Sequence, residues 1–140
     1  MAVLSIRFAR PEHHQRLKAA AARAKTAMSP LAEELIEEGL RMREHPQIVF
    51  RDGPAGRRAA LACGPEVVDV IGAIRGGDLP PDDRRARAAE LLSIPAPAVD
   101  AALDYYGDFA DEIDAELDAR LELADALEAR WRRSHQLLTS

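Results

Sequence analysis

Cysteine occurs once in this chain of 140 residues, as Cys63, so an intramolecular disulfide framework is excluded and a reducing compartment is expected. Aromatic residues are scarce, at 4%, while Ala, Leu, Arg, Asp and Glu dominate, a balance that favours helix over sheet. No stretch approaches the roughly 18 consecutive apolar residues of a membrane span. The apolar run at the N-terminus is too short for a secretory signal and is interrupted by Arg7 and Arg10. A cytoplasmic protein without a membrane partner is therefore expected. Neither a phosphate-binding loop nor a dinucleotide fingerprint is present. The four histidines, His13, His14, His45 and His135, are dispersed, and adjacent His13 and His14 cannot share a helical face. Asp108, Asp111, Glu112 and Glu116 include i+3 and i+4 pairs able to hold Mg²⁺, but a solvated acidic helix face is the simpler reading. Cys63 has no histidine nearby in sequence and is expected to fill a small buried apolar position. Neither an enzyme nor a cofactor is expected.

Charge of one sign is missing locally rather than globally. The net charge is −5, which taken alone argues against a nucleic-acid partner. Residues 1–25, however, carry six basic side chains (Arg7, Arg10, Arg16, Lys18, Arg23, Lys25) against the single acid Glu12. Residues 94–140 carry four arginines against eleven acids. Such an asymmetry points to one surface for a polyanion and another for a different partner.

The basic end also has a distinct pattern. Leu4, Ile6 and Phe8 alternate with Val3, Ser5 and Arg7, a period of two that places each set on its own face of a strand. No second strand of matching pattern follows within reach, so a partner strand is needed, and a second copy of the chain can supply it. A helix is predicted to start near Pro11, with Leu17, Ala20, Ala21 and Ala24 as its apolar stripe. After a break at Lys25-Thr26-Ala27-Met28, a second helix is predicted with Ser29 as N-cap and Pro30 at its first position. Its stripe reads Ala32, Leu35, Ile36, Gly39 and Leu40, and it ends before Pro46.

Leu4-Ser5-Ile6-Arg7-Phe8, Arg16-Leu17 with the Ala-rich run to Ala24, and Ser29-Pro30-Leu31-Ala32-Glu33-Glu34-Leu35-Ile36 together resemble the ribbon-helix-helix family of Arc and MetJ type. The resemblance covers about a third of the chain and implies a dimer whose two-stranded ribbon enters the DNA major groove. It implies that Arg7 bonds guanine O6 and N7, Ser5 a base or phosphate and Val3 a thymine methyl. Arg10, Lys25 and Ser29, the last with the free N–H groups of its helix, would hold phosphates. The inter-helix turn lacks the glycine that the family often has there, and His13 and His14 stand where an apolar residue is common, so one of them is expected to be partly buried.

Beyond His45-Pro46 the texture changes. A strand over 48–52, a turn at Gly53-Pro54-Ala55-Gly56 and a second strand over 57–62 are predicted. Val67, Val68, Val70, Ile71 and Ile74 suggest a short buried helix closed by Gly76-Gly77. Helices are predicted from about Pro81 to Leu92 and from about Pro97 to Tyr106, with Val99 and Leu103 inward, in the outline of a helix-turn-helix. The second of these helices carries Asp100, Asp104 and Asp108 and no Lys or Arg before Arg120. It would repel phosphates and is read as a protein-contact element. Residues 46–114 resemble a small domain of unknown biochemical activity common in prokaryotic toxin–antitoxin operons.

From Asp108 to about Leu138 one long helix is predicted, with Ile113, Leu117, Ala124, Leu127 and Trp131 at heptad-like intervals and Leu121 beside them. Trp131-Arg132-Arg133 has the composition of an interface anchor. The competing role is Trp131 packed on the middle domain, with the arginines complementing the helix dipole.

The expected organisation is thus mainly α: a dimeric ribbon-helix-helix over 1–45, a hairpin-plus-three-helix domain over 46–107, and a partner-binding C-terminal helix over 108–140. The expected function is a type II antitoxin, a homodimer that represses transcription from its own operator DNA. It would neutralise a cognate toxin, a PIN-like ribonuclease, through its C-terminal half, with Trp131, Arg132 and Arg133 at the contact. A stand-alone regulator and a dimeric scaffold without specific DNA binding are the alternatives.

Overall fold

A computed structural model describes residues 1–140. The chain is mainly helical: α1 Pro11–Arg23, α2 Met28–Glu44, β1 Ile48–Gly53, β2 Gly56–Leu61, α3 Val67–Arg75, α4 Pro81–Leu92 and α5 Ala96–Thr139. These elements divide into two compact units, residues 1–44 and 45–140.

In the first unit α1 opens with Pro11, whose missing N–H is no loss in a first turn. Its end is a Schellman closure. The Lys25 N–H donates to the Ala22 carbonyl at 3.2 Å and the Thr26 N–H to the Ala21 carbonyl at 3.0 Å. Lys25 itself adopts φ +54°, the left-handed position that glycine usually fills. The turn that lacks a glycine is therefore made by lysine. The next helix begins at Met28, so Ser29 lies inside the first turn of α2 and not at its cap. Residues 3–8 pair with nothing in their own chain: the only sheet is β1–β2. Among apolar residues of this unit only Ala21 is buried. Leu17, Ala20, Ala32 and Gly39 are half-buried, and Ala24, which closes α1, is exposed. His13 and His14 are both exposed. His14 instead meets the Phe8 ring edge-on at 5.4 Å.

The second unit has a complete core. β1 and β2 pair antiparallel from Ile48↔Leu61 to Gly53↔Gly56. Their two-residue loop, Pro54-Ala55, needs Gly56 at φ +106°. Ala59, Ala60 and Leu61 are all buried, because Ala60 also bridges Glu66 beyond the hairpin. Arg51 fastens this crossing, donating to the Leu61 and Gly64 carbonyls at 2.5 and 2.9 Å. Cys63, expected inside, lies exposed in the turn that follows. In α3 Val67, Val68, Val70 and Ile71 are buried, as expected for a helix apolar on most of its circumference. Ser93, in the left-handed conformation at φ +54°, turns α4 into α5, and the predicted helix-turn-helix outline is formed. Val99 is buried, but Leu103 is exposed at 37%. Ala98, Val99, Ala102 and Tyr105 already fill the core side of that helix.

The helices expected over 97–106 and 108–138 are both present, joined across a kink and together named α5. α5 runs for 44 residues and bends at Phe109, whose φ −129° and ψ 36° are not helical. The bend follows Gly107, a residue that weakens a helix interior. Beyond it Ile113 and Leu117 still pack on the core, whereas every residue from 121 to 140 is exposed. That last part is called the arm below.

Candidate nucleic-acid interface and partner surfaces

On the first unit, Val3, Ser5 and Arg7 lie exposed on the unpaired N-terminal segment. Arg10 takes the position before α1 with extended φ/ψ of −117° and 117°. Arg10 and Arg16 line one shallow cleft with His13. Arg16 and Arg23 line a second, with Leu17, Ala20 and Leu35 as its floor. α1 therefore carries arginines along an apolar groove. Lys25 and Ser29 stand on either side of the turn into α2. Ser29 is exposed, close to the N–H groups of the first helical turn that have no partner within the helix. Leu4, Ile6, Leu35, Ile36 and Leu40 are all exposed. The stripe predicted for α2 is present in the sequence but uncovered in the single chain.

The second unit contains a buried polar site that periodicity did not reveal. His45, only 8% exposed, meets the Asp108 carboxylate at 2.8 Å through Nε2. Its ring packs edge-on against Tyr105 and Phe109, at 5.2 and 6.1 Å. The pair links the first residue of this unit to the bend of α5. A histidine alone before a proline gives no such signal, because its partner is 63 residues away.

Two ionic clusters fasten the middle of α5. Arg120 binds both Glu66 and Asp69 at the start of α3. Partial burial by itself lowers the Arg120 pKa, but the two carboxylates more than offset this and hold it above its ordinary value. Beside it, Glu116 Oε2 is buried without a hydrogen-bond partner, the Arg58 Nε standing 3.8 Å away. Burial pushes the Glu116 carboxyl above its ordinary value; Arg58 opposes the rise while Glu112 and Glu66 add to it. On the other flank Tyr106 donates to Asp114 at 2.9 Å and Arg75 donates to Tyr106 at 2.8 Å and to the same Asp114. These acids serve in ion pairs and hydrogen bonds, and nowhere in the chain do three or more His, Cys, Asp or Glu side chains gather as a metal-ligand set.

Trp131 does not pack on the middle of the chain. It is 59% exposed and stacks on His135, one helical turn on, with ring centroids 4.0 Å apart. Arg132 pairs with Glu128 at 2.5 Å along the same helix, and Arg133 is exposed. The three expected contact residues thus sit together on the arm, away from the core. No helix is long and apolar enough to cross a membrane. Compared with known proteins, the chain matches no family model, no curated protein and no solved structure.

Proposed function

We propose that the chain is the antitoxin of a type II toxin–antitoxin pair. As a homodimer it binds its own operator DNA through a ribbon made from residues 3–8 of two copies, and represses transcription. Arg7, Ser5 and Val3 face the major groove, while Arg10, Lys25 and the first turn of α2 around Ser29 hold phosphates. One observation carries this reading. A 44-residue unit with one buried apolar residue leaves its apolar residues uncovered beside its basic ones. Units of about 40 residues rarely fold without a partner, disulfide or metal, and a second copy can cover the apolar side.

The C-terminal half holds the cognate toxin, a PIN-like ribonuclease, with Trp131, Arg132 and Arg133 of the arm as contacts. Support is compositional: an exposed aromatic next to arginines is the usual anchor of an interface. Toxin on the arms and DNA on the ribbon are coupled by linkage whenever one ligand bridges or orders dimers.

The test is fluorescence anisotropy on the DNA upstream of the gene against scrambled DNA, across a salt series. Preference for the upstream DNA with a steep salt slope is expected. Weak binding without preference would leave the unit as a dimerisation scaffold. Truncation after Leu121 should spare DNA binding and abolish neutralisation of the toxin; a truncated protein that still neutralises would remove the arm from that role.

A further inference from the structure

We infer that the arms of two copies pair with each other, antiparallel, over residues 121–139. Ile113, Leu117, Ala124, Trp131 and Leu138 follow one another at steps of four and seven residues, which keeps them on one face of α5. Ile113 is fully buried and Leu117 packs against the core. Ala124, Leu127, Trp131 and Leu138 continue that buried face into solvent. A seam that is core at one end and bare at the other is the form of an interface between helices.

Charge selects both the occupant and its direction. The first half of the arm carries Glu122, Asp125 and Glu128 and no base, and the second half carries Arg130, Arg132 and Arg133 and no acid. A parallel pair sets acid beside acid and arginine beside arginine, which is unfavourable. An antiparallel pair about a two-fold axis sets the acidic half of each copy against the basic half of the other. The arm is therefore its own complement, as an isologous contact requires. With the axis near Ala129, Leu127 of one copy faces Trp131 of the other, and Leu123 faces Leu137. This gives the exposed Leu123 and Leu137, which lie off the main seam, a common partner. Asp125 and Glu128 meet Arg132 on the flank. Pairing does not depend on the operator reading. It does mean that a toxin taking Trp131 must first take the arm from another copy.

Trp131 is the single tryptophan, so its fluorescence in the full chain reports the seam directly. Emission shifted to the blue and protected from acrylamide is expected, with both effects lost in R130E/R132E/R133E, whose arm is acidic throughout. The urea-unfolding midpoint of residues 45–140 should be unchanged in that variant, since the arm contributes nothing to the core. Orientation is read by crosslinking full-length chains with a short bismaleimide, in a Cys63→Ser background that removes the native exposed thiol. Leu123→Cys and Leu137→Cys proteins should crosslink when mixed and hardly at all alone. Two results would overturn the inference. One is efficient crosslinking of Leu137→Cys to itself. The other is Trp131 emission that stays exposed in the wild-type chain, which would leave the face to a heterologous partner.

Discussion

Replacing Ile36 by glutamate should dissolve the dimer proposed for the first unit while leaving residues 45–140 folded. Leu4, Ile6, Leu35, Ile36 and Leu40 keep 75, 53, 48, 45 and 52% of their surface in the single chain. That amounts to a little under three whole side chains per copy. At about 1.5–3 kcal/mol for each Leu or Ile taken fully from water, two copies gain on the order of 8–16 kcal/mol by covering them. Bringing two chains together costs about 4–15 kcal/mol before any other contact is counted. The surplus is small. Ile36→Glu removes about 0.7–1.4 kcal/mol of apolar burial per copy. It also places a carboxylate in the seam at a desolvation cost of several kcal/mol, which symmetry doubles. The charge is the larger effect, and the two together exceed the surplus. Sedimentation velocity would show the change of mass, circular dichroism the lost helicity of α1 and α2, and anisotropy the lost operator binding. Leu91→Glu serves as a control, because Leu91 is exposed on α4 and its replacement should change none of the three. An Ile36→Glu protein that remains a helical, DNA-binding dimer would refute the reasoning.

Other substitutions separate recognition from folding. Arg7→Ala should weaken operator binding by about 1–3 kcal/mol and leave the dimer intact; unchanged anisotropy in a dimeric variant would remove Arg7 from the groove. Ile113→Ala, at a fully buried site, should destabilise residues 45–140 by about 2–5 kcal/mol in urea titration, because Ile113 is the first core anchor of α5 beyond the bend. Glu116→Gln should stabilise the protein near neutral pH. The Glu116 pKa is raised in the folded chain, by burial before any other cause. The folded state thus binds this proton more tightly, and stability falls as pH climbs from the ordinary Glu value of 4.5 through the raised one. The advantage of glutamine should appear across that window and vanish below it. Thermal unfolding at several pH values checks this, and an equal benefit at all pH values would point to a cause other than ionisation.

What the sequence made legible follows from how local each signal is. The hairpin over 48–61, the short buried helix over 67–75 and the helix starting at Pro81 were readable because turn chemistry and apolar periodicity are encoded within a few residues. The turn at Lys25 was harder. A left-handed residue without glycine leaves no composition signal, so the sequence points to Ser29 as N-cap and Pro30 as the first helical residue, whereas α2 begins at Met28. Leu103 was expected inside on its spacing, but spacing says only which residues share a face. Tyr105, Ala102 and Val99 had already taken the side that meets α3 and α4. Cys63 departs from expectation for a related reason: its apolar character predicts burial, whereas its place in a turn decides exposure. The His45–Asp108 pair and the Arg120 clamp lay beyond reach altogether, since each joins residues more than fifty positions apart.

The two uncovered apolar surfaces differ in kind, and the difference bears on how the protein is held together. In residues 1–44 the apolar stripes of α1 and α2 are the whole of the available core, and the single chain buries only Ala21 of them. On the proposed dimer a partner there is a condition of folding, so the stability of that unit should rise with protein concentration. In residues 45–140 the core is closed by Ile113 and Leu117, and the arm beyond Arg120 adds apolar surface that the fold does not use. A partner there changes what the protein binds and leaves its folding untouched. Dilution should therefore melt the first unit while the second persists. Loss of the arm should leave the melting of the second unit alone, and lower that of the first only so far as paired arms hold two copies together.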